Sequence, residues 1–332
     1  MLRRIVSSPQ FGLLLVIVLL GALLALLAGN HVDARTGASL NNFLNFYTLI
    51  QTATDASFFA IMAVGATIVI ISGGIDLSVG SIYALAGVTT ALVLRHTGDT
   101  GSGAFVLGLA VSISVGLVSG LMNGALVVGL GVHPFIITLG TMWILRGIAF
   151  VSSRAESILL PTSLTSVAKA SLGLGNALYP VPMLIMAGVA LAGSIFLMQT
   201  VRGRHVFAVG GNAEASRFSG VSIGRVKIAV FVISGLTAGL AAFLGASFYG
   251  SASCADATGY ELYVIASAVV GGASLSGGKG SAVSALLGAV LIVLIRQSIR
   301  TLHFDQNYEW IIIGCAIILA VVLDQATRKI RN

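Results

Sequence analysis

Long apolar runs, separated by short polar interruptions, cover most of this chain. Runs of about 18 or more apolar residues read as membrane spans, because about 20 residues at ~1.5 Å rise cross the hydrocarbon layer. The pattern predicts ten helices, at about 11–29, 47–72, 76–94, 104–130, 134–152, 181–199, 226–249, 260–275, 281–300 and 307–325. Glycines recur inside them, as in Gly116-x-x-x-Gly120-x-x-x-Gly124, a spacing that lets membrane helices approach closely. Pro134, Pro180 and Pro182 fall where spans open, positions at which a missing N–H leaves no bond unmade.

One interruption differs from the rest. Residues 202–227 are polar, rich in glycine, and carry Arg202, Arg204, Arg217, Arg225 and Lys227, five of the 18 basic residues. With 57% hydrophobic and only 9% charged residues, the chain cannot solvate a globular surface, for which about a quarter charged is usual. The expected fold class is therefore all-α, a polytopic membrane protein forming a single transmembrane domain over 1–332. The net charge of +7 needs no nucleic acid, since Lys and Arg gather on cytoplasmic loops and fix orientation. With the N-terminus inside, the cytoplasmic segments hold Arg3, Arg4, the five residues of 202–227, Lys279, Arg328, Lys329 and Arg331, eleven of the 18. The other side holds Asp33, Asp99, Glu156, Asp256 and Asp305, with Arg35, Arg95, Arg154, Lys169 and Arg300 among them. Both termini are thus expected in the cytoplasm. The run at 11–29 exceeds the ~7–15 residues of a signal-peptide core, which predicts a retained first helix. The outer loop of about 153–179 is the longest on its side, with room for a short surface helix.

Within 202–227, residues 207–218 predict a short helix with Asn212 as an N-cap and glycines, Gly210-Gly211 and Gly220, at its two ends. An inside loop that only anchors topology needs no such helix, whereas a docking segment does. A second constellation is Gly73-Gly74-Ile75-Asp76-Leu77-Ser78. An acid at membrane depth is usually functional, and Gly-Gly breaks helices, so this is either a polar break lining a path or a turn in which Asp76 caps the third span. Gly277-Gly278-Lys279-Gly280-Ser281 invites a phosphate-loop reading, but Ala273 and Gly280 stand where that motif requires Gly and Ser or Thr. A tight turn is expected instead, leaving the chain no nucleotide site of its own. Arg146 and Glu261 border apolar surface near the outer face, as an ion pair, by snorkelling, or facing a partner there. Tyr83 and Trp143 are candidates to stack on a ring-shaped solute. Cys254 and Cys315 are read as structural, and His31, His96, His133, His205 and His303 lack metal-ligand spacing.

Five groups of residues resemble, in order, the ribose-type ABC sugar transporter permeases. They are Ser72-Gly73-Gly74-Ile75-Asp76-Leu77-Ser78-Val79-Gly80; Pro134-Phe135-Ile136-x-Thr138-Leu139-Gly140 with Arg146-Gly147; the loop itself; Thr258-Gly259-Tyr260-Glu261-Leu262; and 265–280. In the loop the matching residues are Gly203-Arg204, Ala208-Val209-Gly210-Gly211-Asn212 and Arg217-x-Ser219-Gly220-Val221. The resemblance runs from about residue 45 to the C-terminus. It implies a permease subunit of an importer in the bacterial inner membrane, working as a dimer with an identical or similar chain. It also implies that a cytoplasmic ATPase carries ATP and Mg, that a periplasmic binding protein delivers a sugar, and that the permease is no enzyme and binds no cofactor. The segment of about 200–226 would be the coupling loop, with Gly211, Asn212, Glu214, Ala215, Arg217, Ser219 and Gly220 docking in the ATPase. The rival is a stand-alone secondary transporter or channel using Asp76, which predicts several ionisable residues within spans and paired broken helices. The sequence offers Asp76 and no evident repeat.

Overall fold

The computed structural model describes residues 9–32, 37–98, 101–173, 178–316, 318 and 322. Helices alternate in direction. They are α1 (Pro9–Leu27), α2 (Phe46–Ile71), α3 (Val79–Thr97), α4 (Ser102–Leu130), α5 (Pro134–Ser153), α6 (Thr162–Ala168), α7 (Val181–Gln199), α8 (Val201–Gly211), α9 (Ala213–Phe218), α10 (Ile223–Tyr249), α11 (Tyr260–Val270) and α12 (Ala282–Thr301). A further helix, α13, covers 308–316. Eight of these, among the described residues, are long and apolar enough to cross a membrane. The end of the bundle carrying 202–227 and Lys279 is called the basic end below. Arg3, Arg4, Asp33, Arg35, Asp99, Arg328, Lys329 and Arg331 lie outside the described residues.

At the centre is α2, in which every residue from Ala56 to Ile71 is buried. Apart from Ser57 and Thr67, its side chains there are apolar or glycine all round, as suits an enclosed helix. Asn45 starts it by accepting the Thr48 amide hydrogen (2.8 Å). The second central helix is α10, which packs against α2, α3 and α4. In a bilayer no hydrophobic drive brings helices together, so close packing and interhelical hydrogen bonds must do so. The glycine row of α4 supplies both conditions. A Cβ on Gly116 or Gly120 would overlap the Gly235 or Phe231 carbonyl oxygen, and one on Gly124 would lie 2.8 Å from the Ile228 Cα. At this contact Ser112 Oγ donates to the Gly239 carbonyl (2.7 Å). By contrast α1, which packs on α12, is mostly exposed on the outside of the bundle.

Three spans differ from the sequence expectation. The third starts at Val79 rather than 76, because 72–78 is a turn followed by irregular chain. The eighth, expected over 260–275, stops at Val270 after 11 residues; Gly271 lies too close to the Ser284 carbonyl for a side chain, and Gly272 takes φ +92°. The tenth is helical over 308–316, and most of its remainder falls outside the described residues. The described part of the long loop, 153–173, packs in part on the bundle. Ile158–Leu159 pairs antiparallel with Ser251–Ala252, and α6 buries Leu164 and Ala168.

The contacts also contain an inverted duplication that the sequence conceals. Helix α4 packs on α10 as α12 packs on α2, α3 packs on α4 as α11 on α12, and α3 meets α10 as α11 meets α2. Running in opposite directions, α2 and α10 cross where Gly65 admits Thr237 and Ser234. Each is followed by non-helical chain that turns back against the bundle, irregular at 74–78 and, at 251–259, a two-residue strand followed by turns. The second of these descends α3 from Gly87, which faces Ala252, to Gly80, which faces the Ala257 carbonyl, a drop of about two helical turns.

Candidate coupling and translocation sites

The polar interruption folds into two helices, not one over 207–218. Thr200 ends α7 and caps α8 by accepting the Gly203 amide hydrogen (2.9 Å). Gly203 lets α8 fold tightly against the Phe196 and Leu197 carbonyls, and Val206 and Val209 bury its inner face. Asn212 divides the segment and caps α9 by accepting from the Ala215 amide (2.9 Å). Glu214 lies in the first turn of α9 and Arg217 in the last, matching the sign of the helix dipole at each end. Gly220, at φ +80°, ends the helix in the left-handed conformation that glycine adopts without strain. Gly211, Asn212, Glu214, Ala215, Arg217, Ser219 and Gly220 are all exposed, while Ser216 is buried. Phe218, which sequence reasoning passed over, is 83% exposed.

Gly210, expected to hinge the helix from outside, is inside α8 and serves a different purpose. A Cβ there would collide with the Ile71 carbonyl oxygen and lie 2.7 Å from the Gly278 nitrogen. The Gly278 amide in turn donates to Ile71 O (2.8 Å). Gly277 and Gly278, at φ +82° and +73°, press against Gly210 and Gly211. The glycine-rich stretch around Lys279 is thus a tight turn, closed by Ser274 N–H to the Lys279 carbonyl (3.1 Å). Three chain segments meet backbone to backbone at this point: the end of α2, the end of α8 and the turn between α11 and α12.

Deeper in, Asp76 is 1% exposed. Its Oδ1 accepts from Ser78 N (2.9 Å) and Ser78 Oγ (2.6 Å), and its Oδ2 accepts from Ser234 Oγ of α10 (2.8 Å). Asn123 of α4 donates to Ser78 Oγ (2.7 Å). Asp76 therefore does not cap the first turn of α3, which has no side-chain cap; it closes a turn onto Ser78 and ties three elements together. The irregular backbone beside it is satisfied by Thr138 of α5, which accepts from Leu77 N (3.2 Å) and donates to the Ile75 carbonyl (3.1 Å). Irregular chain at membrane depth is tolerated only where such partners exist. Gly73, at φ +81°, makes the turn before it, and Gly74 packs on Pro134.

Arg146 projects from α5 into the turns of 254–259, donating to the carbonyls of Cys254 (2.8 Å), Asp256 (2.6 Å) and Ala257 (3.3 Å). Its guanidinium is thus held inside the fold rather than at a free outer edge. Glu261, in the first turn of α11, reaches Gly80, and its Oε2 has no hydrogen-bond partner among the described residues. Tyr83 is buried with its hydroxyl against Gly245, whereas Trp143 is 68% exposed on the outer face of α5 with Ile144 and Ile148. The structure keeps these two aromatics apart.

Sequence reasoning also missed a charged aromatic cluster near the other end. Arg296 of α12 pairs with Glu309 of α13 (2.6 Å), which also accepts from the Tyr263 hydroxyl (2.7 Å). The guanidinium stacks over Phe59 and Tyr263 (5.3 and 5.2 Å). Arg300 lies 3.7 Å from Asp55 of α2, and Tyr260 stacks on Phe59 (4.3 Å). Acids and bases inside apolar spans were the available signal, since Asp55, Arg146 and Arg296 all interrupt hydrophobic runs.

A bundle of apolar helices, with irregular chain at 72–78 and 251–259 and a saturated acid packed inside it, is the architecture of a polytopic membrane protein. It belongs to the polytopic helical permeases. Residues 48–321 match the family described as the branched-chain amino acid transport system / permease component, and the chain is a member of it. Its relatives are transport permeases for sugars. It is 35% identical to the ribose import permease protein RbsC of Escherichia coli (strain K12) over 85% of this chain and 87% of that one. It is also 35% identical to the D-allose transport system permease protein AlsC of the same strain, over 86% of each. The L-arabinose transport system permease protein AraH of that strain is 30% identical over 88% and 86%.

Proposed function

We propose that this chain is the membrane-spanning permease subunit of an ATP-driven importer of a sugar or sugar-like solute in the bacterial inner membrane. The basic end faces the cytoplasm with both termini, following the positive-inside rule. Two such chains, identical or similar, enclose the path. A cytoplasmic ATPase holding ATP and Mg grips α9 and its flanks through Gly211, Asn212, Glu214, Ala215, Arg217, Phe218, Ser219 and Gly220. A periplasmic binding protein delivers the solute at the other end, above the segment that Arg146 and Glu261 support. The observation that carries this reading is the glycine junction, where Gly210 meets Ile71 and Gly278 without intervening side chains. A push on α9 passes through it to the central helix and to the turn that starts α12, in the manner of rigid-body switching.

The second reading, a stand-alone transporter driven through Asp76, gains support from the inverted halves and from Asp55, Arg146 and Arg296 within spans. Against it, both Asp76 oxygens already accept hydrogen bonds, from Ser78 and Ser234. Vesicles separate the two. The permease alone, given a labelled pentose or hexose and a proton gradient, is expected to accumulate nothing, and adding its ATPase, binding protein and ATP is expected to start uptake. Gradient-driven accumulation by the permease alone, abolished in Asp76→Asn, would overturn the importer reading.

A further inference from the structure

One cavity at the basic end shares only Gly220 with the proposed docking residues. It lies between the turn from α7 into α8 and the start of α10, and has a volume of about 600 Å³. Arg202, His205 and Arg225 line its rim, and no carboxylate lines it. Their side chains make no hydrogen bond or ion pair with the described residues, and α10 begins beside them at Ser222 without a side-chain cap. Below the rim the wall is apolar, formed by Phe196, Val226 and Ile228 at the ends of the two spans. The charges lie within about one turn of those span ends, the depth of lipid headgroups.

A rim of unneutralised bases over an apolar wall fits an amphiphile with an anionic head. A free phosphate has no use for the apolar wall, and an acidic protein surface cannot reach down along a membrane span. We propose that this cleft binds the phosphodiester headgroup of an anionic glycerophospholipid, with an acyl chain along Phe196 and Ile228. The proposal requires only that the bundle spans a bilayer and does not depend on what the protein transports. A scatter of lysines and arginines attracts anionic lipid without selecting a site, so the test must separate the cavity from general charge.

The permease, assembled with its ATPase, is placed in nanodiscs of phosphatidylcholine with or without phosphatidylglycerol, and retained lipid is read by native mass spectrometry. Each basic group near an anionic headgroup contributes about a fivefold preference. Wild-type protein is expected to retain phosphatidylglycerol over phosphatidylcholine by about tenfold or more, and Arg202→Gln with Arg225→Gln to lose most of that preference. Ala229→Trp, which fills the cavity from its apolar side, is expected to do the same without altering charge. Arg204→Gln with Lys279→Gln removes equal charge from the same end outside the cavity and is expected to retain the lipid. Melting in phosphatidylcholine discs identifies a misfolded variant, and the remaining pair then carries the test. Equal retention of both lipids by wild type, equal loss in the control pair, retention in both cavity variants, or displacement by inorganic phosphate would each overturn the proposal.

Discussion

At Gly210 the smallest side chain is already too large, because its Cβ would enter the Ile71 carbonyl oxygen. The neighbour is backbone and cannot rotate away, so α8 would have to lift from α2. Overpacking of this kind costs about 1–3 kcal/mol, enough to shift a junction without unfolding a bundle held by many other contacts. Gly210→Ala is expected to bind the ATPase within about twofold of wild type while solute uptake falls about tenfold or more. Gly188→Ala on α7, where a Cβ meets nothing within 4 Å, is the matched control and should transport normally. If Gly210→Ala transports as well as that control, the junction is not the route of coupling. The same physics explains why Gly210 looked like a hinge in the sequence: a glycine required for close approach and one required for bending are written with the same letter.

Among the elements, α9 combines exposure with rigidity. Its cap at Asn212, the Glu214 and Arg217 charges at its two ends and the Gly220 stop hold six residues helical, although an isolated helix that short is not stable in water. It presents Phe218 beside Arg217. Buried aromatic and Arg anchors dominate protein interfaces, with losses of about 2 kcal/mol or more on truncation. Phe218→Ala is expected to weaken ATPase association about tenfold or more, with Glu214→Ala plus Arg217→Ala acting in the same direction, while the melting temperature of the free permease holds. Undiminished co-purification with all three changes would remove α9 from the docking surface. Much of this was legible in the sequence. Basic residues and glycines between apolar spans picked out the segment, and Asn212 was recognisable as a cap. The helix running up to that residue from the other side was not, because Gly210-Gly211 are poor helix formers. The spans α2, α4, α5, α7 and α10 were legible because their apolar runs are long and unbroken. The re-entrant chain at 251–259 was not, because Ser, Ala and Gly also suit an ordinary surface loop, and only its descent along the glycine face of α3 places it at depth.

For the molecule as a whole, the inverted halves put two different fastenings at opposite ends of the central helix α2. At the basic end Ile71 is joined to α8 and to the 277–280 turn by backbone contact, a junction with no side chains to rearrange. At the other end Asp55 and Phe59 meet Arg300 and Arg296, and Glu309 holds α13 to Arg296 and Tyr263. Ion pairs and hydrogen bonds can part and re-form, so the second fastening is suited to opening. The sequence could not reveal this pairing, since its members come from α2, α11, α12 and α13 and are brought together only by the crossing of the halves. If α2 carries force between the ends, binding at one must shift the equilibrium at the other by the same free energy. Glu309→Gln keeps the shape of the side chain and removes its charge, loosening α13 from Arg296 and favouring the state open at that end. In the assembled transporter the half-maximal ATP concentration for hydrolysis is then expected to fall about fivefold, within the usual range of coupling between sites. Arg296→Met combined with Glu309→Met, which removes both charges and leaves none unpaired, should shift it in the same direction with a better-folded protein. An ATP dependence unchanged in both variants, with the ATPase still bound, would mean that the two ends open and close independently and that α2 transmits nothing.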